Sequence, residues 1–164
     1  MKTASQSLTE QLSARFAERI RSRLLAPGAR LPSVRLCAEQ QGVTVELEGH
    51  ATVGPLAFHP STLRRAVLNV VQNAIEAMPE GGTLRLECAR TATEVHVRIH
   101  DRGIGIPAEQ VPRIFEPLYT TKPGGTGLGL YIVREILVAH GGRVAVESVE
   151  GQGTTFLLMF PIAG

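Results

Sequence analysis

Hydrophobic positions along this chain change period several times, and the changes predict its elements. Over residues 7–25, Leu8, Leu12, Phe16, Ile20 and Leu24 recur at helical spacing among arginines, which predicts one amphipathic helix. Ala26-Pro27-Gly28 stops it, and Pro32-Ser33 opens a shorter helix through about Gln40. The period then drops to two: Val43, Val45 and Leu47 alternate with Thr44, Glu46 and Glu48, the pattern of a half-buried strand. A long helix is predicted from Pro60-Ser61-Thr62 to Met78, closed by Pro79-Glu80-Gly81-Gly82. Leu63, Val67, Val70, Val71, Ala74 and Met78 form its buried face. Strands follow at Thr83–Ala89 and Glu94–His100 as a meander, then short helical turns at Ala108–Phe115. Residues 116–126 read as a mobile flap, followed by a helix from about Gly127 to His140 and strands at Arg143–Ser148 and Thr154–Phe160.

The 164 residues suit one domain with a modest appendage, and the composition is that of an ordinary globular chain. No apolar run approaches a membrane span and the N-terminus lacks a signal-peptide stretch, so a cytoplasmic location is expected. Cys37 and Cys88 have no metal-like spacing and read as reduced, mostly buried thiols. Charge is uneven. Residues 1–40 hold seven Lys/Arg against three Glu (+4), and the rest ten against twelve (−2). A basic end suits nucleic acid or an acidic partner, although solvated arginines on a helix face are the commoner outcome.

Candidate chemistry lies in four clusters. Asn69 and Asn73 are i and i+4 on the long helix, and at roughly 100° per residue Glu76 joins their stripe. Amides in register need a common polar neighbour, and a carboxamide oxygen is a suitable hard ligand for magnesium; bonding to each other or to backbone is an equal reading. Asp101, the only aspartate of the chain, opens Asp101-Arg102-Gly103-Ile104-Gly105 at a strand end. A carboxylate there can accept from an adenine amine while Gly103 and Gly105 let backbone approach the base; taken alone, an Asp-Gly turn is the commoner explanation. Gly125-Thr126-Gly127-Leu128-Gly129-Leu130 leads into a helix, where unshielded N–H groups make an anion seat. It is neither a Walker A loop nor a dinucleotide fingerprint, and protein-kinase signatures are missing. Lys122, the only lysine after Lys2, lies in the flap within reach of a terminal phosphate on closure, or is an exposed loop lysine. His140, before Gly141-Gly142, reads as a capping or packing residue.

In order and spacing these clusters resemble the N, G1, G2 and G3 boxes of the catalytic ATP-binding domain of sensor histidine kinases, with Gly151-Gln152-Gly153-Thr154 as the last and Phe115-Glu116-Pro117 as an F box. The similarity covers about residues 42–164. It implies an α/β fold: an α+β two-layer sandwich of the Bergerat type, its mixed sheet covered by helices on one face and preceded by a helical segment at 1–41. It implies ATP and Mg2+ as ligands. Asn73 matches the metal ligand and Asn69 the neighbouring amide facing the phosphates. Asp101 matches the adenine-reading acid with Gly103 and Gly105 as its wall, and Gly125, Gly127 and Gly129, with Leu128 between them, match the phosphate loop. Thr154 matches the hydroxyl that supports adenine recognition, and Tyr119 and Lys122 fall in the lid. Related ATPases place Glu at position 69 to activate water; an amide there cannot act as a base, which implies phosphoryl transfer to another group.

One departure matters. Histidine kinases carry the acceptor histidine on a preceding helical hairpin, yet residues 1–40 contain no histidine. Instead Leu12–Gln40 resembles the opening of a GntR-type winged-helix domain, and that likeness stops near Gly42-Val43-Thr44, where a strand replaces the recognition helix. The leading expectation is a histidine kinase catalytic module working with a histidine-bearing dimerisation domain and a response regulator, with a homodimer through the N-terminal helix also admitted. A nucleotide-gated interaction module without transfer is the alternative, and a GntR-like DNA-binding fusion ranks last.

Overall fold

The computed structural model describes residues 38–48 and 59–162, all within the compact unit Val34–Gly164. The amphipathic helix expected at 7–25, the GntR-like stretch and most of the second helix lie outside the described residues; positions 38–40, the end of that second helix, are helical. Five strands and two α-helices follow: β1 (Val43–Glu48), α1 (Pro60–Glu76), β2 (Gly82–Arg90), β3 (Glu94–Asp101), α2 (Gly129–Ala139), β4 (Arg143–Val149) and β5 (Gly153–Pro161), with a 3-10 turn at Val111–Arg113. The sheet order is β1-β2-β3-β5-β4. β1 runs parallel to β2 because the chain between them crosses through α1; every other pair is antiparallel.

Sequence pattern explains the local choices. α1 carries Pro at its first turn, and His59 caps it, its Nδ1 accepting from Ser61 N–H at 3.4 Å. Capping preferences do not predict this cap, because histidine is not among the usual N-cap residues. α1 ends at Glu76, two residues short of the expected Met78, and Ala77 closes it by donating its N–H to Asn73 O. Its buried face is also wider than the predicted stripe: Ala66 and Ile75 are fully buried with Val70, Val71, Ala74 and Met78. The helix packs against both the sheet and α2, and two partners widen the face that must be apolar.

The core lies between the helices and one face of the sheet, where Val133 and Leu137 of α2 meet Leu84, Ile99, Phe156, Leu158 and Phe160. The other face is mainly polar, as strand alternation requires, although Leu157 and Met159 of β5 also lie on it. Arg85 pairs with Glu46 and Glu48, both at 3.3 Å, Arg98 with Glu87 at 3.3 Å, and Arg143 with Glu94. Surface pairs of this kind are screened by solvent and contribute little, so burial on the helical face holds the sandwich together. Cys88 is a free thiol but only partly buried, and that burial pushes its pKa up.

Candidate functional site

The predicted clusters converge at one edge of the sandwich. Asp101 ends β3 opposite Thr154 of β5. Its side chain is 1% exposed, and its Oδ1 accepts the Gly103 N–H at 2.9 Å. Burial pushes the Asp101 carboxyl above its ordinary range, although the backbone N–H groups of Gly103 and Thr154 and the charges of His100 and Lys122 pull the other way. Among the described residues Asp101 forms no ion pair. An almost buried carboxylate held chiefly by backbone N–H groups retains acceptor capacity for a further donor.

The loop after Asp101 is wedged between two other elements. Ile104 N–H donates to Ala77 O at 2.9 Å, and Gly151 N–H donates to Ile104 O at 2.7 Å. A Cβ on Gly103 would lie 2.3 Å from Ala77 O, and one on Gly105 2.2 Å from Val149 O. From sequence these glycines suit the close approach of a base. Their missing side chains first make room for the protein's own backbone, at the end of α1 and in the β4–β5 turn. Gly153 does the same for Asp101, since a Cβ there would meet Asp101 O at 2.1 Å.

Asn69, Asn73 and Glu76 line the side of α1 that faces the start of α2. Asn69 Nδ2 donates to Gly129 O at 3.4 Å, and a Cβ on Gly129 would sit 3.6 Å from Asn73 Nδ2. Lys122 reaches from the flap to the same stripe: its Nζ donates to Asn73 Oδ1 at 3.1 Å and to Glu76 Oε2 at 2.5 Å. Glu76 also accepts from Gln72 Nε2 at 3.0 Å. Burial alone would raise the Glu76 pKa, but the hydrogen bonds from Lys122 and Gln72 and the Lys122 charge outweigh it and lower the carboxyl. Helical spacing puts Glu76 in this stripe but assigns it no role; the fold makes it the counter-ion of the flap lysine.

The flap over residues 116–126 is anchored at its base by Leu118 N–H donating to Gly127 O at 2.8 Å. Within it Lys122 N–H donates to Thr120 Oγ1 at 3.1 Å, and Gly125 N–H to Lys122 O at 3.0 Å. Tyr119 packs against the core, with the Arg113 guanidinium 4.5 Å from its ring centroid. Leu128 is the N-cap of α2 and supplies no capping side chain, so the first N–H groups of that helix receive no cap from it. His140 caps the other end of α2, its Nδ1 bonding Ile136 O at 2.8 Å.

Thr154, 4% exposed, lies 2.8 Å from Ser148 through their hydroxyl oxygens. Ser148 was missed in the sequence. Its signal was there: in Arg143-Val-Ala-Val-Glu-Ser148 the serine falls in register with Val144 and Val146, a polar residue on the apolar face of a strand.

A mixed sheet covered on one face by helices, with glycine loops meeting at one edge, defines the Bergerat class of α/β ATP-binding domain. Residues 58–164 match the family described as Histidine kinase-, DNA gyrase B-, and HSP90-like ATPase. The chain belongs to that family, and it carries the ATP-binding catalytic domain of two-component sensor histidine kinases. Sporulation kinase E of Bacillus subtilis (strain 168) is 36% identical over 126 residues, which span 76% of this chain and 17% of that protein. Sensor histidine kinase ZraS of Escherichia coli (strain K12) is 35% identical over 125 residues, 76% of this chain and 27% of its own. This chain therefore spans only a minor part of those relatives. The nucleotide-free catalytic domain of histidine kinase ThkA superposes with a TM-score of 0.66 at 30% identity, covering 92% of this chain and 89% of that one. Among the described residues no helix is long and apolar enough to cross a membrane.

Proposed function

We propose that residues 42–164 bind ATP with magnesium and present the γ-phosphoryl group to a histidine on a dimerisation hairpin, from which a response regulator is served. The observation that carries this reading is the Lys122 ammonium lying between Asn73 Oδ1 and Glu76 Oε2. Those two oxygens already accept a cation, beside a glycine loop that leads into a helix N-terminus, where unshielded N–H groups suit an anion. Asn73 would hold magnesium there, with Glu76 beside it. Bound at that point, magnesium supplies charge neutralisation across the phosphate oxygens.

Each side chain then has a task. Asp101 accepts from the adenine amine, and Thr154 supports it. Gly127 and Gly129 leave backbone N–H groups open to the phosphates, with Leu128 starting the helix behind them, and the Gly125 N–H joins them once the flap releases its bond to Lys122 O. Lys122 leaves Asn73 and Glu76 to meet the terminal phosphate, and Tyr119 anchors the flap base. Asn69 donates to Gly129 O, and an amide takes no proton at neutral pH, so no base stands at this position to activate water. That supports transfer over hydrolysis.

Calorimetry with an unhydrolysable ATP analogue, with and without magnesium, tests binding; absence of magnesium-dependent heat overturns the reading. Radiolabelled ATP with a supplied dimerisation-hairpin domain tests transfer, and an unlabelled hairpin in the presence of bound nucleotide sinks that half of it.

A further inference from the structure

Ser148 is the junction of three segments around the proposed adenine site. Its Oγ donates to Gly153 O at 3.0 Å, accepts the Ile106 N–H at 2.8 Å and lies 2.8 Å from Thr154 Oγ1. A serine hydroxyl has one proton and two lone pairs. A carbonyl cannot donate, so the Ser148 proton goes to Gly153 O. An amide N–H cannot accept, so one lone pair goes to Ile106. One lone pair remains, and the Thr154 contact must fill it with the Thr154 proton.

We infer that Ser148 is a specificity-determining positioning residue, which holds the Thr154 hydroxyl as a pure acceptor toward the base. With its proton committed to Ser148, Thr154 Oγ1 offers only lone pairs. The Asp101 carboxylate beside it also accepts: its Oδ1 takes the Gly103 N–H. Two adjoining acceptors select a ring edge that presents an amine, directly or through one bridging water. Ser148 thereby ties purine choice to the β4–β5 turn and the Gly103–Ile106 loop in a single proton arrangement. The inference rests on the ATP reading above and adds to it the direction of one hydrogen bond and the residue that sets it.

The test compares ATP with purine riboside triphosphate, which lacks the 6-amino group and keeps every ring nitrogen. Thr154→Val is expected to weaken ATP roughly three- to tenfold, the size of one neutral hydrogen bond, and to leave the analogue unchanged. Ser148→Ala frees the Thr154 proton to turn toward the base, so the preference for ATP over the analogue narrows by a similar factor. Ser148→Thr keeps a hydroxyl and the original preference. Should the alanine variant fail to fold, Ser148→Cys reads the same ratio, with a much weaker donor in the same shape. Equal weakening of both nucleotides by Thr154→Val would mean that the hydroxyl donates to a ring nitrogen, and would overturn this inference alone. So would an unchanged ratio in the folded Ser148 variants. If Asp101→Asn keeps the full preference for ATP, the adenine reading itself falls and this inference with it.

Discussion

Gly124 and Gly127 give a controlled pair for testing the flap. Their backbones are nearly the same, with φ of +72° and +66°, and they differ in surroundings. A Cβ on Gly124 meets nothing within 4 Å, whereas one on Gly127 would lie 2.3 Å from Leu118 C and 2.6 Å from Leu118 O. Left-handed backbone costs any L-residue about 1–2 kcal/mol, a cost common to both alanine variants. Gly127→Ala adds a clash with backbone that no rotamer change relieves, worth about 1–3 kcal/mol more by analogy with overpacked cores. The clash falls on the segment that also holds the Leu118 N–H to Gly127 O bond of 2.8 Å, and Leu118 is itself at φ 67°. Opening the flap base is the available relief. Gly127→Ala is therefore expected to bind an unhydrolysable ATP analogue roughly 5- to 150-fold more weakly than Gly124→Ala, at about 1.4 kcal/mol per tenfold. Calorimetry on both variants, with thermal melts to confirm folding, measures the difference. Equal affinities would refute the argument that the Leu118–Gly127 approach shapes the phosphate loop.

Other perturbations address the remaining parts of the site. Asn73→Ala should remove the magnesium dependence of ATP binding while leaving the melting temperature nearly unchanged, because the side chain is only half-buried and off the apolar face; persistent magnesium dependence counts against its role as ligand. Lys122→Met should cost less than about 1 kcal/mol of stability, since its pair with Glu76 is partly exposed. The same variant should speed hydrogen exchange over 116–126 without nucleotide, and unchanged exchange would show that the contact does not hold the flap. The Asp101 carboxyl is raised by burial from its ordinary 3.8, so ATP affinity should fall as pH drops through that raised value, before exposed carboxylates titrate. The stability sign is opposite: a raised folded pKa gives stabilisation that is full below the unfolded value and lost as pH rises through the folded one. Affinity titrated against pH in wild type and Asp101→Asn checks this, and the same pH dependence in both would contradict it.

Much of this was legible in one dimension. Among the described residues local periodicity placed the five strands and the two α-helices to within one or two residues, because alternation and helical spacing record which side of an element meets the core, whereas the helical turns expected at Ala108–Phe115 shrink to a 3-10 turn at Val111–Arg113. β1 occupies Val43–Glu48 as expected, but it is not the half-buried strand its alternation predicts: only Val43 is buried and Leu47 is 76% exposed. Asp101, Asn69, Asn73 and the three glycine clusters could be picked out because acids, amides and glycines at such positions are costly unless they have partners. The extra width of the α1 face was not legible, since it depends on a second helix arriving from residues more than fifty positions later. Nor was the histidine cap, which departs from ordinary capping chemistry.

The identity of the candidate nucleotide-site residues and their order therefore belong to the sequence, as does an amide in place of a base at position 69. Partnership belongs to the fold. That Lys122 sits on Asn73 and Glu76 depends on the flap lying against α1, that Gly103 yields to the Ala77 backbone depends on the end of α1 meeting the loop after β3, and that Ser148 meets Thr154 depends on β4 pairing with β5. Hydrogen-bond direction and van der Waals contact are properties of pairs of atoms at set distances, and a chain read as a string carries residue types without those distances.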